Sequence, residues 1–444
     1  MRFIIILFCL TIFLACSPNS HTDWVFLPPI RGSWETVNTY GGSKEDIAHG
    51  ISITSDGGFV VIGNTMSTDG NFLIKDKAGS DIFLMKFTAS NTLEWTQVYG
   101  GSKDDRGYDV VQLLDEGFAL VGYSKSNDGD LSGNEGQHDN WVIRTDSNGV
   151  LLWQKSFGFL GHDHAYNIIS TSDGGLFFNG FLDVTASNGQ GQEGKRNHLT
   201  KKHGEGDFWC HKLDSNGNLQ WRRYFGGTSN DRSYDAIETN EGDFILTGSS
   251  ESQDVNISNP KGGYDIWVVK IDATGTLLWE TSVGGSGYDV GNAIIETQTG
   301  DFLIAGQTFS QDKDITNPLG SSDGILVWLS SEGVLMKAQN MGESKFDVLN
   351  DVTQRADGTI LAVGNSSSIQ NENNPFDNDV TLYYALSNGS LISTHLLKGD
   401  GLDQGEAITV NSRGSVIVVG STESRSGQFP TSKGNKDLFV AIWN

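Results

Sequence analysis

Residues 99–110 read YGGSKDDRGYDV, and the same turn is written at 40–51 as YGGSKEDIAHGI and at 225–236 as FGGTSNDRSYDA. A chain that keeps rewriting one glycine-rich turn is repeating one supersecondary unit. Aligned on that turn, the unit returns seven times, opening at Gly41, Gly100, Gly158, Gly226, Gly284, Gly342 and Gly399. Most intervals are close to 58 residues (Gly226 to Gly284, for example), and the third, Gly158 to Gly226, is 68. Units 3 and 6 depart from the turn motif, with Gly158-Phe159-Leu160 and Gly342-Glu343-Ser344, and local deviations are expected there.

Four further marks recur in order. An Asp follows the turn: Asp46, Asp105, Asp163, Asp231, Asp289, Asp347 and Asp403. A glycine-bearing tight turn then joins two apolar runs, as in ISITSDGGFVVIG (51–63). A polar loop ends in a second Asp that opens an aromatic-rich run: Asp81, Asp139, Asp207, Asp265, Asp323, Asp379 and Asp437. Another tight turn leads into a last run that often holds Trp (Trp95, Trp153, Trp221, Trp279). Each unit reads as four strands, a to d, with hairpins after a and after c. Runs such as IWVVKI are continuously apolar, as in strands covered on both faces. Four-stranded sheets buried on both faces stack radially on copies of themselves, and no segment carries a helical period. The expected fold is an all-β, seven-bladed β-propeller of four-stranded antiparallel blades. The last unit stops in strand c at 437–444, whereas GSWETVNTY (32–40) reads as a strand d with nothing before it. The N-terminal strand is therefore expected to complete the last blade and remove two open edges.

The segment GSTESRSGQFPTSKGNKDLFVAIWN (420–444), with YGGS and its Asp upstream, resembles the bacterial seven-bladed β-propeller repeat family over roughly residues 32–444. The resemblance implies the fold and an extracytoplasmic setting, and it carries over no catalytic residues. Residues 1–16 read as a secretory signal: Arg2, then an apolar run from Phe3 to Leu14 broken only by Thr11. Leu14-Ala15-Cys16 resembles a lipoprotein box, with Phe13 where leucine is usual, and implies lipidation of Cys16. The alternative is a plain signal with an incidental cysteine. Residues 17–31 become a tether and 32–444 the propeller, anchored by lipid to the outer membrane or cell surface. Without its signal and Cys16 the chain keeps only Cys210, so no internal disulfide is expected and Cys210 reads as a buried, inert thiol. The net charge of −25 excludes nucleic acid as an expected partner. A monomer is expected.

Short hairpins on one face and long b-to-c loops on the other make the long-loop face the expected binding surface. Both Asp series fall there. The first is expected to hold the glycine turn through its backbone N–H groups, a job needed once per blade. Three b-to-c loops carry oxygen ligands at positions 1, 3, 5 and 12, the spacing of a calcium loop. They are Asp128, Asp130, Ser132 and Asp139; Asp254, Asn256, Ser258 and Asp265; and Asp312, Asp314, Thr316 and Asp323. Asp replaces the usual Glu at position 12, so loops ordered by Asx-turns are the competing reading. Unit 3 inserts TASNGQGQEGKRNHLTKKHGEG (185–206), the one basic patch, with Lys195, Arg196, Lys201 and Lys202. It is read as contacting a partner or an acidic glycan. His162, His164, His198, His203 and His211 also belong to this unit; His162 and His164 flank Asp163 on a turn that shares a face with the insertion, which makes a transition-metal site geometrically possible, but the spacing matches no known ligand set and they are read as solvated. The functional expectation is a non-catalytic binding or scaffold protein for a protein or glycan partner. The alternative is a glycan hydrolase or lyase on the same face, although no HExxH or CxxC appears.

Overall fold

A computed structural model describes residues 32–73, 79–192, 203–204, 206–367, 378–430 and 432–444. The signal, Cys16, the tether and the insertion's Lys195, Arg196, His198, Lys201 and Lys202 lie outside the described residues. Gly32–Asn444 forms one compact unit of seven four-stranded antiparallel sheets. In blade 1 the strands are a, Asp46–Ile53; b, Phe59–Thr65; c, Asp81–Phe87; and d, Leu93–Tyr99. The same order repeats at residues 105–157, 164–225, 231–283, 289–341 and 347–397 for blades 2 to 6. Strand a of each blade neighbours strand a of the next, and that of blade 7 neighbours that of blade 1, so the array is a ring.

Blade 7 takes strands a to c from Asp403–Val410, Val416–Thr422 and Asp437–Trp443, and its strand d is Trp34–Tyr40. The register is antiparallel, with Val37 opposite Ala441 and Tyr40 opposite Leu438. Trp34 also packs edge-on against Trp443 at 5.4 Å between ring centroids. The two chain ends close the ring, and neither leaves a strand unpaired.

Strands b and c are buried along their whole length in every blade but the fifth, where Gln307 of strand b is half-buried; blade 1 is typical. The reason is that the apolar cores lie between blades. Val60, Ile62 and Leu84 of blade 1 pack with Phe118, Leu120 and Trp141 of blade 2. Phe59 and Phe83 of blade 1 pack on the other side with Val419 and Val440 of blade 7. Each fully buried side chain of this size contributes about 2 kcal/mol, so no blade can present both faces to water. The strand-d tryptophans lock successive blades. A Cβ at Gly149 would sit 2.9 Å from Trp95, and one at Gly217 would sit 2.6 Å from Trp153. Both glycines also have positive φ, 75° and 72°, so the hairpin needs glycine for its backbone and for the indole above it.

A chain lacking residues 32–40 exposes strand c of blade 7 as an edge. It is expected to unfold at lower denaturant concentration than the parent, and a synthetic peptide of that sequence should restore the midpoint when added in excess.

Candidate functional site

The long-loop face is built on buried carboxylates. Asp289 opens strand a of blade 5, and its Oδ2 accepts from Gly285 N–H at 2.8 Å and from the Ser310 hydroxyl at 2.7 Å. Its Oδ1 accepts from Thr308 at 2.5 Å. Asp46, Asp105 and Asp231 repeat this set with Gly42, Gly101 and Gly227 N–H, each at 2.8 Å. The hydroxyl donors are Thr65 and Ser67, Ser124 and Ser126, and Ser250 and Ser252. Asp403 takes Thr422 and Ser424, and Asp347 takes Glu343 N–H at 2.8 Å. A glycine turn has N–H donors and no side chain to satisfy them; the carboxylate and two hydroxyls fill that need. In blade 3 the hydroxyl positions are Leu182 and Val184, both buried, and Asp163 accepts from Phe159 and Asp183 N–H instead. Burial then pushes the Asp163 carboxyl up to about 8.

The loop residues with calcium-like spacing occupy defined positions. Asp128 Oδ1 accepts from Ser102 N–H at 2.8 Å, and Asp130 Oδ2 accepts from Gly100 N–H at 3.0 Å. Asp254 and Asn256 take Thr228 and Gly226 N–H, and Asp312 and Asp314 take Ser286 and Gly284 N–H. At position 12, Asp139, Asp265 and Asp323 accept from the loop's own N–H groups, such as Leu319 N–H at 2.7 Å. Ser132 meets Gln154, and Ser258 meets Glu280. Thr316 is contacted by Asn317 Nδ2 at 3.5 Å. Each set is therefore engaged by several different partners within the loop face. Among the described residues, the three-residue group of His, Cys, Asp or Glu whose ligand atoms converge is His138, His162 and His164.

The repeat leaves particular positions free to vary. The residue before strand c of one blade bridges, backbone to backbone and in parallel, to the residue before strand a of the next. The fold supplies the bridge, and the side chains are not needed for it. They are Lys436 and Glu45 between blades 7 and 1, and His138 and His162 between blades 2 and 3. Tyr264 and Tyr288 lie between blades 4 and 5, and Ser322 and Phe346 between 5 and 6. The face is consequently asymmetric. Across blades 4 to 6 an aromatic ridge runs Tyr264, Tyr288, Phe309, Phe346, with successive centroids 5.1, 6.1 and 6.4 Å apart. Tyr288, Phe309 and Phe346 are 38, 40 and 53% exposed. Beside the ridge lies a polar trough of about 570 Å³ lined by Thr228, Ser229, Glu251, Gln253 and Asp254. Tyr264 Oη donates to Glu251 at 3.1 Å at its edge.

The channel along the ring axis, about 410 Å³, is lined by the third and fourth residues after each strand-a Asp. Tyr108, Tyr166 and Tyr234 line one side, and Asn292, Asn350 and Glu406 the other. Three half-buried acids staple alternate blades: Asp109 Oδ2 takes Ile168 N–H at 2.9 Å, Asp235 takes Ile294 N–H at 2.7 Å, and Asp351 takes Ile408 N–H at 2.8 Å. Burial pushes Asp109 and Asp235 up to about 7 and Asp351 up to about 8. Burial likewise lifts Glu406 to about 7. The sequence analysis did not single out these channel residues. Their signal is present in the alignment, because those two positions read HG, YD, YN, YD, NA, ND and EA while their neighbours keep to the consensus.

The histidines of unit 3 are less exposed than expected of loop residues. His211 is fully buried, stacked on Phe178 at 4.2 Å, and His203 is buried against Asp207. The strand-c site of His211 and the close return of the insertion at Gly204 enclose them. Cys210 is fully buried, and burial raises its thiol pKa.

Fold and site together define a closed seven-bladed β-propeller with one differentiated loop face. No family model matches the sequence, and no curated protein matches it. Among solved structures, the WD40 domain of Pan2 from Neurospora crassa is similar at 11% identity and a TM-score of 0.50, covering 93% of this chain and 94% of that one. Sqt1 from Chaetomium thermophilum aligns at 10% identity over 92% and 99% of the two chains, with a TM-score of 0.43. A puromycin hydrolase aligns at 9% identity over 88% and 52%, with a TM-score of 0.46. The Pan2 likeness is one of fold.

Asp289→Ala leaves one N–H and two hydroxyls unpaired in a buried site, and a loss of about 3 kcal/mol is expected by denaturant titration. A second expectation concerns pH. An acid whose native pKa is raised binds its proton more tightly folded than unfolded, so stability falls as pH rises from the unfolded value toward the folded one. For Asp351 that window runs from 3.8 to about 8. Asp351→Asn should be less stable than the parent at pH 5, because one amide NH₂ faces an N–H donor, yet lose less between pH 5 and 8. Chemical denaturation at both pH values measures the difference.

Proposed function

We propose that the protein is a non-catalytic binding protein of the cell envelope, held by lipid on Cys16 and engaging its partner through the long-loop face. The notion of a glycan or protein partner narrows here to a glycan chain. The observation that carries this is the aromatic ridge. Tyr288, Phe309 and Phe346 are exposed, and they come from three loops. Flat rings present apolar faces to sugar C–H groups, and the adjoining trough offers hydroxyl, amide and carboxylate partners for sugar hydroxyls. Concave polar groups beside an apolar platform are the usual composition of a small-ligand site. Binding is preferred to hydrolysis because the acids of the channel serve as staples. Asp109, Asp235 and Asp351 each hold two backbone N–H groups, whereas glycoside hydrolysis needs a free pair of carboxyls at set separation. The N-terminal signal and Leu14-Ala15-Cys16 support the envelope setting.

The test is a glycan array probed with the chain lacking its signal, beside the Tyr288→Ala/Phe346→Ala double variant. Both residues are exposed, so stability should change by less than about 0.5 kcal/mol each. Binding to the glycans recognised by the parent should fall at least tenfold. Retention of a protein partner in a pull-down, with the array blank, would replace the glycan by a protein on the same face. Equal binding by parent and variant would remove the ridge from the site.

A further inference from the structure

We propose that His138, His162 and His164 form a binding site for one divalent transition-metal ion of borderline softness, zinc being the reference ion, at the boundary of blades 2 and 3. The three residues come from two blades. His138 ends the b-to-c loop of blade 2, His162 lies in the turn entering blade 3, and His164 opens strand a of blade 3. The parallel bridge between His138 and His162 brings the two loops together through their backbones.

The ring nitrogens converge. His138 Nδ1 lies 2.6 Å from His164 Nε2 and 3.1 Å from His162 Nδ1. The three ligand atoms all lie within 4.8 Å of one another. Two nitrogens bound at about 2.1 Å to a tetrahedral ion sit about 3.4 Å apart, so small side-chain shifts open the space for one. Three histidines with a fourth, solvent-facing position form a set used by zinc. Imidazole alone, without thiolate or carboxylate, suits Zn²⁺, Cu²⁺ and Ni²⁺ and disfavours hard ions such as Ca²⁺.

The surroundings orient the rings as outer partners of a metal site do. His164 Nδ1 meets Tyr166 Oη at 3.1 Å, which leaves Nε2 for the cluster. Tyr123 stacks on His138 at 4.6 Å and on His164 at 4.1 Å, fixing both ring planes. His138 is 9% exposed, and its Nε2 meets no protein partner, so its polar contacts are all at the Nδ1 end. The nearby cation Lys125 is paired with Asp104 at 3.6 Å. None of these contacts is required by the propeller, since the other bridge positions carry Ser, Gly, Asn, Tyr, Phe, Leu, Lys or Glu.

The experiment uses the chain without its signal and free of any polyhistidine tag, stripped with chelator and desalted. Equilibrium dialysis against Zn²⁺ should give one bound equivalent per chain, and Co²⁺ should produce visible absorption bands of a low-coordinate site. His162→Ala, in a partly exposed loop, should keep the parent circular dichroism and lower zinc affinity at least tenfold. Tyr166→Phe, which removes only the orienting hydroxyl, should lower it less and leave the stoichiometry at one. His198→Ala in the insertion should bind as the parent does. The proposal is overturned by absence of binding at micromolar zinc, by unchanged affinity in a His138→Ala/His162→Ala variant, or by loss of binding in His198→Ala.

Discussion

The structure depends on one carboxylate, used seven times. At the start of each strand a, an Asp is taken out of water beside the turn that enters the blade, accepting a glycine N–H in blades 1, 2, 4 and 5 and the Phe159 or Glu343 N–H in blades 3 and 6. In blades such as the fifth it accepts one N–H and two hydroxyls, at 2.5 to 2.8 Å. Taking a carboxylate out of water is costly, and burial raises the pKa of Asp46, Asp105, Asp231 and Asp289 against the hydrogen bonds that lower it. The arrangement persists because an unsatisfied N–H in that turn would cost comparably, and because the turn fixes where strand a enters the ring. The apolar cores between blades then supply the bulk of the stabilisation, but they do so only for sheets already placed edge toward the axis.

That division of labour explains where the face can be specific. Backbone bridges between loops of adjacent blades need no side chain, so the flanking positions carry a Lys–Glu pair, a His pair, a Tyr pair or a lone Phe without altering the ring. The channel positions are partly free in the same sense. Asn292 and Asn350 donate to Leu349 and Gly405 carbonyls of the next blade, so one side of the channel is structural. The tyrosine side is tied as well, through Asn167 Nδ2, which donates to Asp109 and Asp235. A ring built by repetition thus acquires a direction, aromatic over blades 4 to 6 and imidazole-rich at blades 2 and 3.

The fold was legible in the sequence because its determinants recur at fixed spacing. Glycine turns, strand-opening Asp residues and continuously apolar strands each appear once per unit, and the unpaired strands at 32–40 and 437–444 imply their own pairing. The site was less legible for the opposite reason. His138 and His162 lie 24 residues apart in different units, and only the parallel bridge places them side by side. Tyr264, Tyr288, Phe309 and Phe346 stand at three different positions of the repeat, so no alignment column gathers them. The calcium-like spacing of Asp128, Asp130 and Asp139 is read in one dimension, whereas in the fold Asp128 and Asp130 accept from the turn entering their blade and Asp139 from its own loop.

Blade 3 shows the two levels interacting. Its hydroxyl donors are replaced by Leu182 and Val184, which fill apolar space beside Trp209 and Tyr224. Asp163 keeps two backbone donors and loses both hydroxyls, and burial pushes its carboxyl up to about 8. The same blade carries the insertion and the altered Gly158-Phe159-Leu160 turn. Departure from the consensus anchor and acquisition of the histidine cluster therefore fall on the same few residues. A propeller can differentiate one blade in this way because its neighbours, each with a complete anchor, continue to fix the ring on either side.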